Sequence, residues 1–281
     1  MTELSYVLAL LSSLSYGSAD FLGGLATKRF GTFSVVVFSQ LTGLVLILIA
    51  LPLLPDSAPT ATDLAWGAAS GVAGGIGVAL LYRGLAIGVM SVVAPVTAVC
   101  AVIIPLAAGV AMGERPAPIA MAGVVLAVVA IVLVSQSGAP ASGRRGTTGA
   151  GIAVLSGIAI GIFLVFLERT GPSAGLWPLV TARIASVSLL ALAAIPARER
   201  LVLRRAAMPL VLGGGALDML ANIFYLLAVR QGPLSIVATL ASLYPASTVI
   251  LARLILHERL RAVQLGGVIC ATVAIVLIVA A

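Results

Sequence analysis

Residues 111–136 read AMGERPAPIAMAGVVLAVVAIVLVSQ, and residues 255–280 read ILHERLRAVQLGGVICATVAIVLIVA. Laid on one another without gaps, at a shift of 144 positions, they match Glu114-Arg115 to Glu258-Arg259, Gly123 to Gly267 and Ala130-Ile131-Val132-Leu133 to Ala274-Ile275-Val276-Leu277. Apolar residues coincide readily in a chain this hydrophobic, but chance does not readily place the Glu-Arg pair. The same shift lays Gly17 on Gly161, Gly71 on Gly215, Gly88 on Gly232, Ser91 on Ser235 and Ala94 on Ala238. The repeat therefore extends over the whole chain.

Each copy has the composition of membrane helices. Of the 281 residues 61% are hydrophobic and 9% charged, against about 25% charged in ordinary globular chains. Apolar runs of about 20 residues follow one another, each long enough to cross roughly 30 Å of hydrocarbon. A water-soluble fold is excluded. Glycine, proline and charge clusters divide the chain into ten expected spans, near residues 4–26, 33–54, 64–87, 90–112, 117–135, 149–168, 175–197, 207–229, 233–256 and 261–280. Transmembrane barrels need short alternating strands, which these uniformly apolar runs are not. The fold class is therefore all-α, a polytopic membrane protein of ten transmembrane helices in two five-helix repeats. The first repeat covers 1–136 and the second 149–281. Between them, 137–148 reads SGAPASGRRGTT, a flexible linker by composition. Because five is odd, the two copies enter the membrane in opposite senses. Inverted repeats of this kind build secondary transporters, in which the site lies between the halves.

The net charge of +7 does not signify nucleic acid, because the basic residues stand in ones to fours at the ends of apolar runs. Twelve of the 16 basic residues, Lys28, Arg29, Arg83, Arg144, Arg145, Arg198, Arg200, Arg204, Arg205, Arg253, Arg259 and Arg261, fall on one side; Arg115, Arg169, Arg183 and Arg230 remain for the other. Basic loops stay cytoplasmic, so both termini are expected outside the cell. Met1-Thr2-Glu3 lacks the basic region of a signal peptide, and the first apolar run is expected to stay in the protein. Cys100 and Cys270 lie in apolar runs and read as small core residues.

The segments Tyr16-Gly17-Ser18-Ala19-Asp20-Phe21-Leu22-Gly23-Gly24, Gly113-Glu114-Arg115 and Ser242-Leu243-Tyr244-Pro245, with His257-Glu258-Arg259-Leu260, resemble the EamA-type branch of the drug/metabolite transporter superfamily. The resemblance covers nearly the whole chain. It implies ten helices in two repeats and a central cavity lined by the first four helices of each, with the fifth and tenth packed behind. It also implies export of amino acids or other small metabolites, and it sets the termini in the cytoplasm. In such relatives the basic cluster follows the second helix; here that loop reads Pro55-Asp56-Ser57-Ala58-Pro59 and carries no basic residue.

A charge at membrane depth is costly unless it faces a partner or a water-filled cavity, so Asp20, Arg183 and Asp218 are the leading site candidates. Asp218 lies about eleven residues into the eighth span, roughly 16 Å from either surface, and Arg183 in the antiparallel seventh span differs from it in height by about 5 Å. The two can form an ion pair that pins the helices. Alternatively, Arg183 receives a substrate carboxylate while Asp218 or Asp20 receives an ammonium. Asn222, one turn on, can satisfy the Asp218 carboxylate. Asp20 shares a helix face with Tyr16 and Ser12. Should either aspartate lack a cation in one conformation, it would carry a proton and couple export to the proton gradient; permanent pairing leaves facilitated diffusion or exchange. Pro95, Pro105 and Pro245 favour kinks that free carbonyls to line a cavity, with Thr97, Ser242 and Tyr244 supplying hydroxyls beside them. Gly67, Gly71 and Gly75 leave a smooth stripe for a neighbouring backbone. Glu114 and Glu258 are expected to begin the fifth and tenth helices, where an acidic side chain complements the exposed amide dipoles.

His257-Glu258 is followed at 261 by arginine, so it is not a zinc motif, and no phosphate-binding glycine loop or serine elbow occurs. No catalytic residue, metal or cofactor is expected, and the protein is not expected to be an enzyme. The function expected is secondary transport, an exporter of small amphipathic metabolites such as amino acids or drug-like solutes in the inner or plasma membrane. Its partners would be a small-molecule substrate, the lipid bilayer and protons as coupling ion; a monomer suffices. The alternative is an accessory or lipid-translocating membrane protein of the same fold.

Overall fold

The computed structural model describes residues 2–27, 30–53, 57–87, 90–134, 144–196, 201–256 and 262–280. These form eleven α-helices and no strand: α1 (Thr2–Thr27), α2 (Thr32–Ala50), α3 (Ala61–Ile87), α4 (Met90–Ala111), α5 (Pro118–Val134), α6 (Arg144–Glu168), α7 (Trp177–Ala194), α8 (Met208–Val229), α9 (Leu234–Ala241), α10 (Tyr244–Leu256) and α11 (Ala262–Val279). Helices are the answer these runs require, because hydrocarbon offers no partner to a backbone amide and a helix satisfies its own. Lys28, Arg29, Pro55, Asp56, Gly88, Arg198, Arg200, His257, Glu258, Arg259 and Arg261 lie outside the described residues, as do most of the linker and the side chains of Pro95, Arg144, Arg145 and Arg253.

Among the described residues, six segments are long and apolar enough to cross a bilayer: Thr32–Leu53, Ala61–Gly84, Gly151–Glu168, Trp177–Ala194, Arg205–Val229 and Ala262–Val279. Val96–Ala111, Pro118–Leu133 and Leu234–Thr248 are shorter apolar helices. Helix α1 is not among them despite its 26 residues. Ser5, Ser12, Ser13, Ser15, Ser18, two tyrosines and Asp20 dilute its apolar residues. Four of those polar groups face protein rather than lipid: Ser5, Ser12, Ser13 and Ser15 are buried.

Two expectations change. The span at 233–256 is not one kinked helix but two, α9 and α10, parted at Ser242–Leu243. Pro245 stands at the second position of α10, where its missing N–H costs nothing. Helix α4 by contrast runs unbroken through Pro95 and Pro105. Nor does Glu114 begin α5, which starts at Pro118. Its carboxylate crosses to the other copy and accepts from the Leu234 and Ser235 amides, at 2.6 and 3.0 Å. It complements the exposed amides of α9, which no side chain of its own caps.

The extensive helix contacts join one copy to the other, and they come in exchange pairs. Helix α1 lies on α8 as α3 lies on α6; α3 lies on α7 as α2 lies on α8; α4 lies on α6 as α1 lies on α9 and α10; α5 and α11 pack on each other. Exchange pairing is what a two-fold relation between the copies produces, and it holds to single atoms. Ser12 donates to the Ala221 carbonyl at 2.9 Å, and its counterpart 144 residues on, Ser156, donates to the counterpart carbonyl, Gly77, at 2.8 Å. Gly71 presses on the Ala182 backbone and Gly215 on the Ser39 carbonyl, positions within one residue of the same register. A side chain at either glycine would collide with main chain. The stripe of Gly67, Gly71 and Gly75 meets Pro178, Ala182 and Ser186, successive turns of α7, so its use is close backbone approach.

Cys100 and Cys270 are free and only partly buried, on α4 and α11, with Cys270 packed against the core rather than inside it.

Candidate functional site

Between the copies lies a cavity of about 70 Å³, room for a few water molecules. Helices from both copies line it: Tyr16 and Asp20 from α1, Gln40 from α2, Gly71 to Leu81 from α3, Ile160 to Leu164 from α6, Leu179 to Ser186 from α7, Asp218 and Asn222 from α8, and Ala241, Ser242 and Tyr244 at the α9–α10 break. Seven of the eight residues expected from sequence are therefore together. The break itself puts Ser242 and Tyr244 there, because an unbroken helix would carry one of them round to another face.

The centre of the polar lining is a chain of contacts through Arg183. Its Nη2 donates to Asp218 Oδ2 at 2.6 Å, and its Nη1 donates to Gln40 Oε1 in a short contact. Ser186 donates to the same Gln40 oxygen at 3.0 Å and to the Arg183 carbonyl at 3.1 Å. The pair is enclosed, with 8% of the Arg183 side chain and 15% of the Asp218 side chain exposed. Asn222 does not satisfy the Asp218 carboxylate. Its amide nitrogen donates to the Asp218 backbone carbonyl at 2.6 Å, while its oxygen accepts from the Tyr16 hydroxyl at 2.9 Å. Asp20, one turn from Tyr16, faces the cavity with no hydrogen bond or ion pair to any described residue. The Tyr244 hydroxyl is buried without a hydrogen-bond partner among the described residues.

Thr97 does not join them. It is fully buried between α4 and α6, where its hydroxyl donates to the Ala153 carbonyl at 3.2 Å. Ser12 likewise leaves the face it shares with Asp20 for a bond to α8. Gln40 and Ser186 were not among the expected residues, although a glutamine within an apolar run is a signal of the same kind as a charge. The apolar lining, Gly74, Val78, Ile160 and Leu164, was also missed, and the repeat register holds its signal: these are the counterparts of Asp218, Asn222, Tyr16 and Asp20.

Residues 3–136 and 147–280 each match the family model described as the EamA-like transporter family. A solved crystal structure superposes over 99% of this chain and 96% of its own, with a TM-score of 0.79 at 14% identity, a likeness of fold. No curated protein matches the chain.

Proposed function

Because the chain belongs to the EamA-like transporter family, whose members are membrane transporters of small molecules rather than enzymes, we propose that it is a secondary exporter of small amphipathic metabolites. It works by alternating access between two oppositely inserted five-helix repeats in the inner or plasma membrane. The observation that carries this reading is the position of the cavity. It lies where the copies meet, it is lined by both, and its charges stand within the helices, where only a wet pathway or a partner repays their cost. The counterpart contacts support two related packings of similar energy, one open to each side. Ten crossings, with the broken α9–α10 as the ninth, give each copy five. The basic residues favour termini outside the cell.

Flux into liposomes carrying the purified protein tests the reading, across amino acids, sugars and amines, with and without a pH gradient. At least one solute should move faster than into empty liposomes, and Asp218→Asn or Arg183→Gln should stop it while the protein remains inserted. Absence of flux over the whole panel would refute solute transport; lipid scrambling in its place would favour the lipid-translocating alternative. For orientation, cysteines at the exposed Ser173 and Arg205 in a Cys100→Ala, Cys270→Ala background should be labelled from outside and inside respectively. The reverse pattern would overturn it.

A further inference from the structure

The two walls of the cavity are counterparts of each other in backbone and opposites in chemistry. Tyr16, Asp20, Asp218 and Asn222 stand on the α1–α8 wall; a shift of 144 residues replaces them on the α3–α6 wall by Ile160, Leu164, Gly74 and Val78. All eight line the cavity. Duplication thus supplies one frame twice, and the side chains make one wall polar and the other apolar. Gly74 extends the apolar wall, because a side chain there would strike the Phe163 ring that lies against it.

The charges on the polar wall are not equivalent. Both terminal nitrogens of Arg183 are engaged, one by Asp218 and one by Gln40. Arg183 is the cation among the described lining residues, and Asp218 already neutralises it, so a substrate carboxylate would compete with Asp218 for the same guanidinium. Asp20 is the charged group in the lining that has no hydrogen bond or ion pair among the described residues. With the lining ionised, two carboxylates stand against one guanidinium, and the surplus is negative. Tyr16, one turn before Asp20 on α1, and Tyr244 line the same cavity as Asp20. Aromatic rings and a carboxylate in one cavity suit a positive head group, and the Tyr244 hydroxyl, without a partner among the described residues, has an oxygen to accept from it.

We infer that the substrate is an organic amine with a single positive charge and an apolar body, its head on Asp20 at the α1–α8 wall and its body along the α3–α6 wall once these walls part beyond the about 70 Å³ of the present state. The inference rests on the transporter reading above and narrows it, since zwitterionic amino acids and organic anions are disfavoured.

The test is calorimetric titration of the full-length protein in detergent with three ligands that share one body: 2-phenylethylammonium, phenylalanine and 3-phenylpropionate. The amine should bind at least tenfold more tightly than the zwitterion or the anion. Asp20→Asn should weaken amine binding about 10- to 100-fold, the loss of one charge-assisted hydrogen bond, and Asp20→Glu should restore most of it. Equal or tighter binding of phenylalanine or phenylpropionate would overturn the inference, as would no amine binding at millimolar concentration or an unchanged affinity in a folded Asp20→Asn protein. The ligand comparison uses the native chain, so it decides even if the variants do not fold. Amine binding without flux would leave this site standing and sink transport; phenylalanine flux without amine preference would do the reverse.

Discussion

Arg183→Gln removes the guanidinium that holds Asp218 at 2.6 Å, in surroundings that leave 15% of the Asp218 side chain exposed. Removing one partner of a buried ion pair costs about 3–5 kcal/mol, because the survivor remains as an uncompensated charge. Gln40 loses the Arg183 donor as well and keeps only the Ser186 hydroxyl on its oxygen, a further ~1 kcal/mol. Asp218→Asn should be milder, since Arg183 then retains its bond to Gln40. The double variant leaves two neutral amides and no stranded charge, so it should be about 2–3 kcal/mol less destabilised than the sum of the singles, within the range of directly contacting pairs. Unfolding free energies of all four proteins in mixed micelles, titrated with a denaturing detergent, complete the cycle. Additivity within about 0.5 kcal/mol would mean that the two charges do not depend on each other, and the account of the site given above would fail.

Glu114→Gln weakens two charge-assisted bonds to the α9 amides and should cost about 1–2 kcal/mol in the same titration; wild-type stability would show that the cap is not needed. Gly71→Ala and Gly215→Ala each drive a Cβ into main chain, and each should cost about 1–3 kcal/mol, whereas Gly151→Ala, with nothing within 4 Å, should change little. Matching losses at 71 and 215 are expected from the register; a silent Gly215→Ala would break it. Thr97→Val should lower stability by about 0.5–1.5 kcal/mol and leave flux intact, and lost flux at full stability would return Thr97 to the site.

The all-helical fold and most of its helices are readable because a bilayer demands apolar runs of a set length, and the duplication because a Glu-Arg pair stands in both copies. The α9–α10 break is not readable, since prolines at 95 and 105 look the same in sequence as the one at 245 and leave α4 whole. What differs is tertiary: Ser242 and Leu243 turn at the cavity, where backbone irregularity is tolerated. Asp20, Arg183 and Asp218 are readable because charge within hydrocarbon needs a reason. Thr97 misleads because a hydroxyl, unlike a charge, can satisfy itself on any nearby carbonyl. Glu114 misleads in another way, since its amide partners lie 120 residues away and local reading assigns it to the helix beside it.

Interleaving of the two copies also governs how the protein can be made. When the first 134 residues have left the ribosome, the faces of α1, α2, α3 and α4 that will carry most of their stabilising contacts have nothing to dock on, because those partners are still untranslated. Truncation at the linker should therefore leave no stable half.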